Sequence, residues 1–206
     1  MASLRRLIDA LETHTGIPGP VIGRYADKLA EAGHMPDADL LPDDAATLIV
    51  ALAGARAATE AVEAVEVYLL APLVASSIVT NTGQSPVDLN DESLDLNCNP
   101  DLAPAKENVI ACLGLLIGEI AGQGGNQRGA VTVEIRQSIE TPFASIYVKF
   151  SDESMRRFVF APSERQEAPR PWQEWQQIDH ALFAAVAALF GESHAAGAER
   201  TSLVLH

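Results

Sequence analysis

The sequence predicts an α+β fold, an N-terminal helical module followed by a helix, a three-stranded antiparallel meander and a C-terminal helix. Three observations carry that prediction. Apolar residues recur at helical spacing through much of residues 3–70. Three later segments, at 130–137, 144–150 and 155–161, alternate apolar and polar residues with period two. Residues 172–190 then return to helical spacing. At 206 residues the chain is long enough for one domain with a substantial core or for two small ones.

The first helix is expected over residues 3–13, with Leu4, Leu7, Ile8 and Leu11 on one face and Ser3 as N-cap. Thr15-Gly16 breaks it. Pro18 and Pro20 suit a turn and the opening of a second helix over residues 20–32, which carries Val21, Ile22, Tyr25, Ala26 and Leu29 on one side and stops at Gly33. Pro42, Asp43 and Asp44 open a third helix whose stretch AATLIVALA is apolar all round and therefore expected to be buried. Residues 57–70 continue as helix, with Ala58, Val62, Val65 and Leu69 on one face and Glu60, Glu63 and Glu66 on the other. Pro72 ends it.

Residues 76–104 are rich in Asn, Asp, Ser and Pro and read as a long loop and domain boundary. A helix follows at 105–121, then the flexible turn GQGGNQRG, then the meander, in which Val131, Val133, Ile135, Ile146, Val148, Phe150, Phe158 and Phe160 point inward. Residues 162–171 read as a polar linker. The helix at 172–190 buries Trp175, Ile178, Leu182, Val186 and Leu189 to cover the sheet. The expected organisation is a helical module at 1–75, a linker at 76–104, a helix-sheet-helix module at 105–191 and a flexible tail at 192–206.

The net charge of −14 repels nucleic acid at long range, but it is uneven. Residues 1–56 carry −3, residues 57–128 carry −8 and residues 129–206 carry −3, so a DNA-binding end on an acidic body is allowed. Cys98 and Cys112 do not make a disulfide framework and read as buried or idle thiols. The charged opening MASLRRLIDALETH does not read as a secretory signal, and no apolar run suffices for a transmembrane span. The expectation is a cytoplasmic protein with no membrane partner.

Residues 15–33, TGIPGPVIGRYADKLAEAG, have the form of the second half of a helix-turn-helix. In that geometry Arg24 and Lys28, one turn apart, would meet phosphate or guanine, and Arg5 and Arg6 on the first helix would add phosphate contacts. Asp27 and Glu31 oppose them. TGIP, RYA, LAEAG and LPDDAATLIVALAG together resemble the small helix-turn-helix module of proteins in phages and prophages of proteobacteria, and are loosely similar to the opening of MerR-type regulators. The resemblance spans residues 4–56. It implies a DNA-binding transcriptional regulator acting as a homodimer or larger homo-oligomer. Members carry arginines after the Ala-Gly, where this chain has Met35-Pro36-Asp37-Ala38-Asp39. That departure implies DNA binding as an oligomer, or a lost activity.

Two other readings fit the same residues. One is a phage structural or packaging component, such as a small-terminase-like ring. The other is an interaction protein whose helical hairpin is only scaffold, and the small residues of 45–70 would equally suit helix association. A second candidate patch is the outer sheet face, where Arg136, Tyr147, Lys149 and Arg157 could meet nucleic acid, or where Glu134 could simply pair with Lys149. GQGGNQRG lacks the Gly-Lys-Ser/Thr ending of a phosphate loop and precedes a strand. The five histidines show no metal spacing, and neither Glu174 with Asp179 nor Ser76-Ser77 forms a catalytic constellation. The sequence therefore leads us to expect no enzyme activity, no cofactor and no metal.

Overall fold

The computed structural model describes residues 2–36, 39–80, 83–87, 107–122, 130–149, 155–162 and 174–202, with side chains described as far as Gly191. Among the described residues it is α+β, with six α-helices and one six-stranded antiparallel sheet.

Helix α1 (Leu4–Thr15) begins at Ser3, whose hydroxyl accepts the Arg6 N–H, and ends at Gly16. That glycine holds φ 71° and donates its N–H to the Glu12 carbonyl. Helix α2 (Gly19–Glu31) begins three residues after α1 ends. Its first N–H groups would be orphans, and the Glu12 carboxylate of α1 accepts one of them, from Gly19, at 2.9 Å. Gly33 at φ 81° closes α2 in a Schellman motif, with His34 N–H on the Leu29 carbonyl and Gly33 N–H on Ala30. Leu7, Leu11, Ile22, Tyr25, Ala26 and Leu29 are buried, as the apolar spacing predicts.

Helix α3 (Pro42–Gly54) is the central rod. The Asp44 carboxylate accepts the Leu41 N–H at 2.6 Å, and every residue from Ala45 to Ala51 is buried. Its opening crosses helix α5 (Val109–Gly122) at Gly114-x-x-x-Gly118. A Cβ built on Gly114 would overlap the Asp43 carboxylate and come within 3.1 Å of its Cα, and one on Gly118 would touch Pro42. Burial, with the neighbouring Asp44 charge second, raises the Asp43 carboxyl above the usual range.

The single helix expected over residues 57–70 is broken. A 3₁₀ turn (Ala58–Glu60) precedes helix α4 (Ala61–Leu69), which is turned relative to the expected face. Ala61, Ala64, Val65 and Tyr68 are buried, whereas Leu69 is exposed. The reason is Tyr68. Its hydroxyl donates to the Arg136 carbonyl at 2.6 Å and sits 3.3 Å from both the carbonyl and the N–H of Phe143, which pins α4 to the sheet. The ring also lies against Gly54, where a Cβ would come within 2.8 Å of it.

The expected loop at 76–104 is corrected in its first part. Strands β1 (Leu73–Thr80) and β2 (Gly83–Val87) form a hairpin there, and residues 88–104 lie outside the described residues. Turn-forming composition masked the β-branched Val74, Ile78, Val79 and Thr80, and Pro86 is tolerated because β2 is an edge strand. The meander forms as expected, as β3 (Val131–Arg136), β4 (Ala144–Lys149) and β5 (Met155–Phe160). The strand order is β2-β1-β5-β4-β3-β6.

Strand β6 (Trp175–Ile178) corrects the expected helix at 172–190, since it pairs with β3 and the helix starts only afterwards. The Asp179 carboxylate accepts the Leu182 N–H at 3.2 Å and so caps helix α6 (His180–Ser202). Trp175, Ile178 and Leu182 fall at helical spacing by coincidence across a strand-to-helix junction. Helix α6 continues through residues 192–202 of the expected tail. Residues 123–129 of the glycine turn, residues 163–171 of the linker, Phe150 and Cys98 lie outside the described residues.

One face of the sheet joins α1 to α6 in one apolar cluster running from Ala2 to Phe190. Cys112 lies in it, and burial pushes its thiol pKa up to about 12. In a Cys98→Ser variant, Cys112 is expected to react with a thiol reagent at pH 8 only as fast as the protein opens. Labelling as fast as free cysteine would show that the cluster is loosely closed.

Candidate nucleic-acid interface

Helices α1 and α2 are joined by a three-residue connection that contains Gly16, and each is buried on one side. On the open side of α2, Arg24 and Lys28 are exposed one turn apart. They line a shallow groove of about 530 Å³ whose far wall is the segment Arg56–Thr59. Arg56 therefore joins them, a residue that sequence reasoning missed. The signal for it was indirect, since α3 must stop at Gly54-Ala55 and release the next side chain toward α2.

Arg56 is set by its backbone. The Gln137 amide donates to the Ala55 carbonyl at 2.9 Å, and the Arg56 N–H donates to the Glu60 carboxylate at 2.9 Å. The sheet thus fixes where the far wall stands. The groove also contains Asp27 and Glu31. Lys28 Nζ donates to Glu31 Oε2 at 2.6 Å, and this hydrogen bond, with the charge behind it, raises the lysine pKa. Both partners are exposed, so a phosphate can take the place of Glu31 at little cost. Among the described residues, with the Glu60 carboxylate that accepts the Arg56 N–H, three cations and three carboxylates meet at the groove, so it is close to neutral on a chain of net charge −14.

Arg5 and Arg6 are exposed on the first turn of α1 and do not line the groove. They stand as separate cations on the same helical unit.

No family profile, curated protein or solved structure matches the chain. What it can do therefore rests on its own geometry.

The outer sheet face is organised differently from its sequence expectation. Arg136 is only 4% exposed. Its guanidinium carbon lies 5.2 Å from the Phe143 ring centroid and 5.3 Å from that of Trp175, and it donates to the Thr141 carbonyl at 3.2 Å. Glu134 does not pair with Lys149. The register puts Glu134 opposite Ser145 and Gln177, and its carboxylate accepts the Tyr147 hydroxyl at 3.1 Å instead. Arg157 lies over the Tyr147 ring at 5.6 Å and donates to the Ser145 hydroxyl at 3.1 Å. Burial, before any charge, raises the Tyr147 pKa. These groups are committed to one another across β3, β4 and β5, which suits a cross-strand lattice better than an open basic patch.

Among the described residues, no three of His, Cys, Asp and Glu gather as a metal site, and no helix is long and apolar enough to cross a membrane.

Proposed function

We propose that this chain is a non-catalytic DNA-binding protein of the cytoplasm, a regulator of phage or prophage type that acts as a homo-oligomer. Arg24, Lys28 and Arg56 hold the phosphate backbone beside α2, and Arg5 and Arg6 add phosphate contacts from α1. The observation that supports this most directly is the gathering of Arg24, Lys28 and Arg56 along one groove of a strongly acidic molecule. The phosphate contacts make binding fall with salt, whereas long-range repulsion from that acidic body lowers the affinity itself and favours two heads acting together over one.

Fluorescence anisotropy with genomic duplex fragments at low salt tests the reading. Arg24→Glu/Lys28→Glu is expected to weaken binding by about a hundredfold or more and to flatten the dependence of affinity on salt. Arg56→Glu alone should weaken it about tenfold. If the double variant binds as well as the parent, the groove is not the DNA contact and the proposal fails.

A further inference from the structure

A second cleft, of about 430 Å³, lies between the end of α1, the second half of α3, strand β6 and the start of α6. That volume is in the range of small-molecule sites, roughly 300–1,000 Å³. Its apolar surface includes Ile17, Ile49 and Leu52, with Ile17 and Leu52 only partly buried. Its polar rim is His14, Gln176, Gln177 and Asp179. Among the described residues, the side chains of His14, Gln176 and Gln177 make no hydrogen bond or ion pair. Asp179 uses one carboxylate oxygen to cap α6 and, among the described residues, leaves the other without a partner.

The charge of the lining selects the ligand. Among the described residues that line the cleft, there is no lysine or arginine, and Asp179 supplies the one carboxylate. The glutamine carbonyl oxygens add neutral acceptors beside it. We propose that this cleft binds a small organic amine with an apolar, ring-sized body. Its ammonium group meets the free oxygen of Asp179 and a glutamine carbonyl, and its body lies on Ile17, Ile49 and Leu52. A neutral molecule of the same shape forgoes the charge-assisted hydrogen bond, and an anion is repelled. The site is separate from the groove beside α2, and its test does not depend on DNA.

Titration calorimetry of the full chain with tyramine at low salt tests the proposal, with 4-ethylphenol as the neutral probe of the same shape. Tyramine is expected to bind, and 4-ethylphenol at least about tenfold more weakly. Asp179→Asn removes the charge while keeping a side chain that caps a helix about as well. It should weaken tyramine about tenfold with the circular dichroism spectrum unchanged. Leu52→Trp, which fills the cleft, should abolish binding. If that variant does not fold, Asp179→Asn decides alone. Absence of tyramine binding at millimolar concentration overturns the proposal. So does equal binding of 4-ethylphenol, or tyramine affinity unchanged in a folded Asp179→Asn or Leu52→Trp variant.

Discussion

Tyr68→Ala is expected to lower the unfolding free energy by about 3–5 kcal/mol, as for other large aromatic truncations in a packed core. A domain of ordinary stability has only about 5–15 kcal/mol in total, so the variant should sit near its unfolding threshold. The side chain is fully buried, and it joins α4 to Arg136 of β3 and to Phe143 just before β4. Tyr68→Phe separates the two contributions. It keeps the ring and deprives the Arg136 carbonyl and the Phe143 amide of the hydroxyl, for an expected loss of about 1–3 kcal/mol. Urea midpoints measured at constant slope report both values. A Tyr68→Phe protein as stable as the parent would show that the hydroxyl contributes nothing to the hold of α4 on the sheet.

The second large effect is expected at the crossing of α3 and α5. Gly114→Leu should cost at least about 3 kcal/mol, at the upper end of overpacking. Its Cβ alone would overlap the Asp43 carboxylate and press on the Asp43 Cα, so the α3 backbone has to retreat along with the side chain. Gly114→Ala sets the same clash against the roughly 1 kcal/mol that alanine gains over glycine inside a helix, and should be the milder variant. Gly23 is the control. It lies inside α2 with nothing within 4 Å of a built Cβ, so Gly23→Ala should stabilise by about 0.5–1 kcal/mol. Combining Gly114→Ala with Asp43→Ala should recover part of the loss, because the two sites share one contact. Equal midpoints for Gly114→Leu and the parent would mean that the helices do not cross this closely.

The elements whose local chemistry and burial agree were the ones legible in the sequence. Ser3, Gly16 and Gly33 bound the first two helices as capping rules require, and the alternation of β3 to β5 matches its two faces. Where the sequence misled, a longer-range partner decided. The polar residues around Ser76 and Ser77 form a strand because β5 offers its edge. Trp175 is in a strand because β3 offers the other. Arg136 sits on the expected face but is buried, because Phe143 and Trp175 come from separate segments to enclose it. The candidate groove was half legible. Arg24 and Lys28 follow from helical spacing within one element. Arg56 faces them only through the way the stop of α3 is held by Gln137, a residue 82 positions away in sequence.

The strand order has a consequence during synthesis. The β1–β2 hairpin leaves the ribosome before β5, the neighbour it pairs with, has been translated, since β5 starts at Met155 and β1 ends at Thr80. At about 5–20 residues per second that gap lasts roughly 4–15 s. Throughout it the nascent hairpin carries an open strand edge, a template for pairing with another chain. The sheet closes only after β5 and β6 have emerged. Chains stalled within that interval are therefore the form of this protein most exposed to aggregation.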